Sequence, residues 1–289
     1  MSKFLMILFV LIGLTHTPVE DVEHKEKISK TFTFEGSGDQ NILIIKNING
    51  SIRIEGTQAN QVSVDVEKVI EAESQKSLEE GIRDITLGAI TVPDSIILFT
   101  DSPYTTVKRK NGKVSYHWDN DFRGVDYDFN FDYTVKVPYG TRLDISTVNQ
   151  GEVRIVDTRS TVSASNVNGS VYLEKTATVK KASSVNGTVE CEITEKPTQD
   201  CFFNTINGDI KITTPSNLSA DVSYSAMHGD FYTDYEIELL PYRIENTRES
   251  SGRGTAYKIE KTPQFRIGDG GVHMLFTTLN GDMILKSAN

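Results

Sequence analysis

One short word recurs along this chain, and any fold must place every copy. It reads Asn47-Ile48-Asn49-Gly50-Ser51-Ile52, Asn166-Val167-Asn168-Gly169-Ser170-Val171 and Ser184-Val185-Asn186-Gly187-Thr188-Val189. It returns as Thr205-Ile206-Asn207-Gly208-Asp209-Ile210 and Thr278-Leu279-Asn280-Gly281-Asp282-Met283. Two looser copies are Thr147-Val148-Asn149-Gln150-Gly151-Glu152-Val153, one residue longer, and Ala226-Met227-His228-Gly229-Asp230-Phe231. From Gly151 the glycines step by 18, 18, 21 and 21, and a longer gap separates Gly229 from Gly281. Regular self-similarity of this length marks a stack of small units that cannot bury their apolar sides alone.

Around each glycine the side chains alternate. The second and fourth following residues are Ile52 and Ile54, Val153 and Ile155, Val171 and Leu173, Val189 and Cys191, Ile210 and Ile212, Met283 and Leu285. Their neighbours are mostly polar, which gives the period of two of a half-buried strand. Each unit therefore reads as strand, Asn-Gly turn, strand. Glycine at Gly50, Gly151, Gly169, Gly187, Gly208, Gly229 and Gly281 is expected to supply positive φ at the turn. Asn49, Asn168, Asn186, Asn207 and Asn280 are expected to stack and bond along the repeat axis. An isolated Asn-Gly would signal an antiparallel hairpin. The even spacing favours an all-β, β-helix-like solenoid instead, with an antiparallel meander or sandwich as the alternative.

The step from 18 to 21 places its extra residues in far turns, at 195–200 and 214–217, because an odd insertion within a strand would reverse every later side chain. Residues 29–140 read as an N-terminal β-rich region holding the first rung. Strands are expected at 61–69, 96–99, 114–118 and 126–137. A short flanking helix is expected near Ser77-Leu78-Glu79-Glu80, which resembles a capping box, with Leu78, Ile82 and Ile85 on one face. Residues 141–289 carry the remaining repeats, interrupted at 234–266 by a hairpin or loop.

Residues 1–17 read as an export signal: Lys3 precedes the apolar run Phe4 to Leu14, too short to span a bilayer. The chain is expected to be exported, whether periplasmic, cell-surface or secreted, with no transmembrane span. A formal net charge of −10 argues against a nucleic-acid partner. Cys191 and Cys201 both fall on inward slots, so they form either a buried disulfide or two inert thiols.

No pattern marks a catalytic site, and no cofactor or metal motif is complete. Asp209, Asp230 and Asp282 follow their glycines and could line a Ca²⁺ ladder or accept turn N–H groups. Asp119, Asp121, Gly124 and Asp126 sketch a calcium loop that Arg123 and Asn130 spoil. Tyr116, His117, Trp118 and Phe122 could stack on a sugar, although alternation places Tyr116 and Trp118 together on one, buried, face.

The words from Phe131-Asp132-Tyr133-Thr134-Val135-Lys136-Val137-Pro138 through Thr205-Ile206-Asn207-Gly208-Asp209-Ile210 and His228-Gly229-Asp230-Phe231 resemble the bacterial DUF4097 putative-adhesin family, over about residues 30–289. Gln150 and His228 depart from its pattern. The resemblance implies an exported, non-enzymatic β-helix-like adhesin or envelope scaffold; the sequence does not identify its partner, for which a cell-surface protein and a glycan are the candidates. A carbohydrate-binding module at 104–133 and a polysaccharide-active β-helix enzyme are the other readings.

Overall fold

The structure, a computed structural model, describes residues 21–36, 40–110, 113–118, 125–251 and 254–288, with backbone alone for 107–118 and 243–261. Residues 1–17, read as a signal, lie outside the described residues, as do 119–124 of the calcium-loop reading. Among the described residues the fold is all-β with one helix. Its first elements are β1 (Val22–Phe32), β2 (Ile42–Lys46), β3 (Ile52–Thr57), β4 (Val62–Ala72) and α1 (Gln75–Asp84). They are followed by β5 (Thr86–Val92), β6 (Ser95–Asp101), β7 (Thr105–Lys110), β8 (Lys113–Trp118) and β9 (Tyr127–Pro138).

The repeats supply paired short strands: β10 (Arg142–Ser146) with β11 (Val153–Val156), then β12 (Thr161–Ser165) with β13 (Val171–Thr176). Next come β14 (Thr178–Ser183) with β15 (Val189–Ile193), and β16 (Cys201–Asn204) with β17 (Ile210–Thr214). The chain ends in β18 (Ala220–His228), β19 (Phe231–Thr233), β20 (Glu238–Ser251), β21 (Gly254–Ile267), β22 (Val272–Asn280) and β23 (Met283–Ser287).

The strand before each turn joins one sheet and the strand after it joins the other. Sheet 1 runs β1-β4-β9-β3-β11-β13-β15-β17-β23-β19, and sheet 2 runs β20-β21-β18-β22-β16-β14-β12-β10-β2-β6-β5. Every neighbouring pair from β3 to β19, and from β18 to β6, is parallel, and each copy lies in register with the next apart from shifts between Val162 and Ser163 and between Leu173 and Thr176. The antiparallel meander is therefore absent from the repeats. The core lies between the sheets, where Ile54, Ile155, Leu173, Cys191, Ile212 and Leu285 form one buried row. Burying each such aliphatic side chain stabilises the stack by about 1.5–3 kcal/mol.

The spatial order departs from chain order at one place. The last copy, β22–β23, sits between β16–β17 and β18–β19: β16 pairs with β22, β22 with β18, β17 with β23 and β23 with β19. The long gap before Gly281 is the path back to this slot. It is occupied by the antiparallel hairpin β20–β21, whose second strand pairs with β18. A register shift between Leu240 and Arg243 falls at Pro241, where a missing N–H disturbs the ladder least.

The opposite end is finished differently. β9 runs parallel to β3 but antiparallel to β4, which pairs in turn with β1. Tyr127, Phe129, Phe131 and Tyr133 all face inward from β9, as their alternation predicts. Helix α1 covers this end, burying Leu78 and Gly81. Its N-cap is Ser74, whose Oγ accepts the Ser77 N–H at 3.1 Å, so the helix begins before the expected capping box at Ser77. Lys68 breaks the inward pattern of β4; its Nζ reaches the Ile82 carbonyl at 3.2 Å and Glu26 at 3.6 Å, tying helix to sheet. The exposed edge strand β1 carries Lys25, Lys27 and Lys30, charges that discourage further pairing.

Candidate functional site

The repeated word resolves into three rows of hydrogen bonds that run along the stack. In the middle row each asparagine donates from Nδ2 to the Oδ1 of its neighbour: Asn149 to Asn49 at 3.1 Å, Asn168 to Asn149 at 2.7 Å, Asn186 to Asn168 at 2.9 Å, Asn207 to Asn186 at 2.8 Å and Asn280 to Asn207 at 2.7 Å. Asn49 closes one end by donating to the Phe129 carbonyl at 3.0 Å. His228 closes the other, with Nδ1 3.1 Å from Asn280 Oδ1. Since Oδ1 can only accept, the uniform direction of the row assigns the proton to His228 Nδ1.

The sequence reading omitted Asn149 and His228 from this row. Gln150 is the spare residue of its copy: it takes φ +57 and leaves Asn149 in place. His228 serves because an imidazole N–H replaces the amide donor. Neither departure breaks the row.

The inner row belongs to the first residue of the word. Thr147, Asn166, Ser184 and Thr205 donate to the glycine carbonyl of the preceding rung, Gly50, Gly151, Gly169 and Gly187, at 2.8–2.9 Å. Thr278 does the same to Gly208 at 3.3 Å. The outer row belongs to the residue after glycine: Asp209 Oδ1 accepts the Asp282 N–H at 3.1 Å, and Asp282 Oδ1 accepts the Asp230 N–H at 3.0 Å. These carboxylates are spent on turn N–H groups. Among the described residues, no cluster of three or more His, Cys, Asp or Glu could hold a metal ion.

The rows also correct the reason for glycine at three turns. Gly50, Gly208, Gly229 and Gly281 take the expected positive φ, but Gly151, Gly169 and Gly187 do not. What each lacks room for is a Cβ, which would strike the backbone of the preceding glycine, its carbonyl in the case of Gly169 and Gly187. Close approach of rungs, more than turn geometry, requires glycine here.

Cys191 and Cys201 are free thiols, so the disulfide alternative is not realised. Cys191 lies on β15 in sheet 1 and Cys201 on β16 in sheet 2. Burial pushes the Cys191 thiol well up, and the Cys201 thiol to about 12. Both should resist a thiol reagent at pH 8 in the native protein and react only after unfolding; fast native labelling would contradict this placement. Above about pH 8.5 the unfolded chain ionises while the native thiols stay protonated, so the two also lower stability as pH rises.

Two further arrangements escaped the sequence reading. Ser223 Oγ lies 2.8 Å from His273 Nε2 and accepts from Gln264 Nε2 at 2.8 Å. Ser223 is wholly buried, which closes it to substrate. The second is the far end of the stack. There sheet 2 continues through β21 and β20, while sheet 1 stops at the three-residue β19. Tyr224, Phe231, Ile237, Leu239, Tyr242 and Phe265 line a groove of about 280 Å³ between them. Leu239 is 79% exposed and Tyr242 61%. Tyr235 fixes the approach to this groove through Thr214, at 2.9 Å, and the Pro215 carbonyl, at 2.9 Å.

The proposed sugar platform falls on β8, where only the backbone of Tyr116, His117 and Trp118 is described, and Phe122 lies outside the described residues. No helix among the described residues is long and apolar enough to cross a membrane.

No family model matches the chain, and no curated protein matches it. Among solved structures, a putative cell adhesion protein from Clostridium sporogenes aligns over 92% of this chain and 100% of its own, at 10% identity and a TM-score of 0.45. A putative adhesin from Bacteroides fragilis aligns over 91% and 97%, at 10% identity and a TM-score of 0.25.

Proposed function

We propose that the chain is an exported, non-enzymatic β-solenoid that binds a macromolecular partner, as an adhesin or cell-envelope scaffold does. One observation carries the reading: most polar groups of the repeated word are taken up by bonds between rungs. Asparagine amides, inner hydroxyls and the Asp209 and Asp282 carboxylates build the stack and leave no convergent acid–base pair. Repetition here serves rigidity. Sheets of ten and eleven strands at about 4.8 Å spacing make a body about 45–50 Å long. Such a body offers broad faces and two ends for contact.

The test combines location with binding. Cell fractionation should recover the protein outside the cytoplasm, and the purified protein should be retained by whole cells or isolated envelope polymer. The polymer should keep its length after incubation. Cytoplasmic recovery, or polymer cleavage that disappears when two particular carboxylates are replaced, would overturn the reading.

A further inference from the structure

We propose that the open end of the stack accepts an extended peptide strand from a partner protein, apolar at alternate positions and basic between them, added beside β19. The proposal deepens the binding reading above and rests on it for its biological use.

Three observations meet at this end. The first is an unfinished sheet. β19 pairs with β23 on one side and is the last strand of sheet 1. The Asp230 carbonyl accepts the Met283 N–H at 2.9 Å. Alternation along a parallel strand then turns the main-chain groups of Phe231 and Thr233 to the open side. Unpaired edge groups of this kind are what strand addition uses.

The second is an overhang without an opposing layer. At the other end α1 covers the inner face beneath the last strands of sheet 1. At this end nothing among the described residues covers Leu239 and Tyr242 on the hairpin strand. One strand laid beside β19 would sit over the groove and direct alternate side chains into it.

The third is charge. Asp230, Asp234 and Glu236 flank β19 along the chain and Asp282 lies one rung in, whereas Glu238 stands opposite Arg266. Asp282 and Asp230 together push the Tyr232 hydroxyl above its ordinary pKa, as a negative field does. A strand with lysine or arginine at its outward positions fits that field.

A second copy of this chain does not fit as well. Beyond the shared rungs sheet 2 carries β21 and β20 here, whereas at the other end sheet 1 carries β9, β4 and β1 and sheet 2 carries β6 and β5. Joining β19 to another copy's β1 would force β20 and that copy's β5 into the same layer. A single separate strand meets no such obstruction.

The probes are a ten-residue peptide alternating valine with lysine and its counterpart alternating valine with glutamate. The lysine peptide should bind saturably and slow amide exchange at Phe231 and Thr233 at least tenfold, and the glutamate peptide should bind at least tenfold more weakly. Leu239→Asp should weaken the lysine peptide at least tenfold with the melting temperature unchanged. Thr233→Pro should remove the protection at Phe231. Absence of saturable binding, binding without slowed exchange at these two amides, or equal binding by Leu239→Asp would overturn the proposal. So would protection of both amides in the free protein that grows with protein concentration, the sign of a second copy. If Leu239→Asp abolishes peptide capture yet cells are bound as before, this end is not the adhesive surface while the binding reading stands. Peptide capture with no cell or envelope binding would sink that reading and keep the strand site.

Discussion

A chain ended at Ile267 is expected to lose its cooperative thermal transition, or to retain only a weakened one confined to the N-terminal rungs. In a stack built in chain order, removing the last repeat would strip one end and leave the rest standing. Here the last repeat is an interior rung. Met274, Phe276, Met283 and Leu285 are all fully buried, between β16–β17 on one side and β18–β19 on the other. Deleting a buried side chain of this size costs about 2–5 kcal/mol, so four approach or exceed the about 5–15 kcal/mol that holds a whole domain. The β18–β21 segment would also lose its attachment to the stack. Circular dichroism melts of the full and shortened chains check this; equal melting temperatures would contradict it.

Gly208→Ala is expected to destabilise the protein by about 3–5 kcal/mol, against little change or a slight gain for Gly140→Ala. A Cβ at Gly208 meets the Gly187 carbonyl oxygen, a backbone atom that no rotamer change can move aside. Relief requires the two rungs to part, which weakens the Thr205–Gly187 bond of 2.9 Å and the Asn207–Asn186 bond of 2.8 Å. Each is worth about 1 kcal/mol, in addition to the steric cost. A Cβ at Gly140 meets nothing within 4 Å, and alanine there restricts the unfolded chain. Urea melts of the two variants provide the comparison, and similar midpoints would show that rungs do not approach as closely as described.

These two sites mark how far the sequence could be read. Alternation around Ile52, Val153, Val171, Val189 and Ile210 specified strands, faces and register, because period-two burial is local information. The far turns at 195–200 and 214–217 were legible for the same reason, since Pro197 and Pro215 cannot donate to a ladder. Rung order was not legible. The step of 52 positions from Asp230 to Asp282 breaks the regular spacing, but no local pattern says which neighbours the last copy joins. That choice is made by long-range pairing of near-identical strands.

The hydrogen-bonded rows were half visible. Asparagine recurrence predicts the middle row but not the place of His228 in it, because an imidazole does not look like an amide. Its Nδ1–H nonetheless meets the same need. The inner row is not legible because the first position of the word varies among Asn, Thr, Ser and Ala, and nothing local marks Thr205 or Ser184 as a donor to a carbonyl. Lys68 was missed because a lone inward charge contradicts alternation, and only the helix end above it supplies the reason. The open end was least legible of all, for exposed Leu239 and Tyr242 look like ordinary strand residues until the opposite sheet proves to stop short.

The order of the rungs is the claim from which the truncation effect, the groove and the strand site all descend. Cysteine cross-linking, with Cys191 and Cys201 first replaced by alanine, tests it directly. Ile284 lies in register with Lys211 on one side and with Tyr232 on the other. Neighbouring strands are about 4.8 Å apart, within disulfide reach, and next-but-one strands about twice that, beyond it. The account predicts rapid disulfide formation for Lys211→Cys with Ile284→Cys and for Tyr232→Cys with Ile284→Cys, and none for Lys211→Cys with Tyr232→Cys. A ready bond between positions 211 and 232 would place those rungs side by side and contradict it.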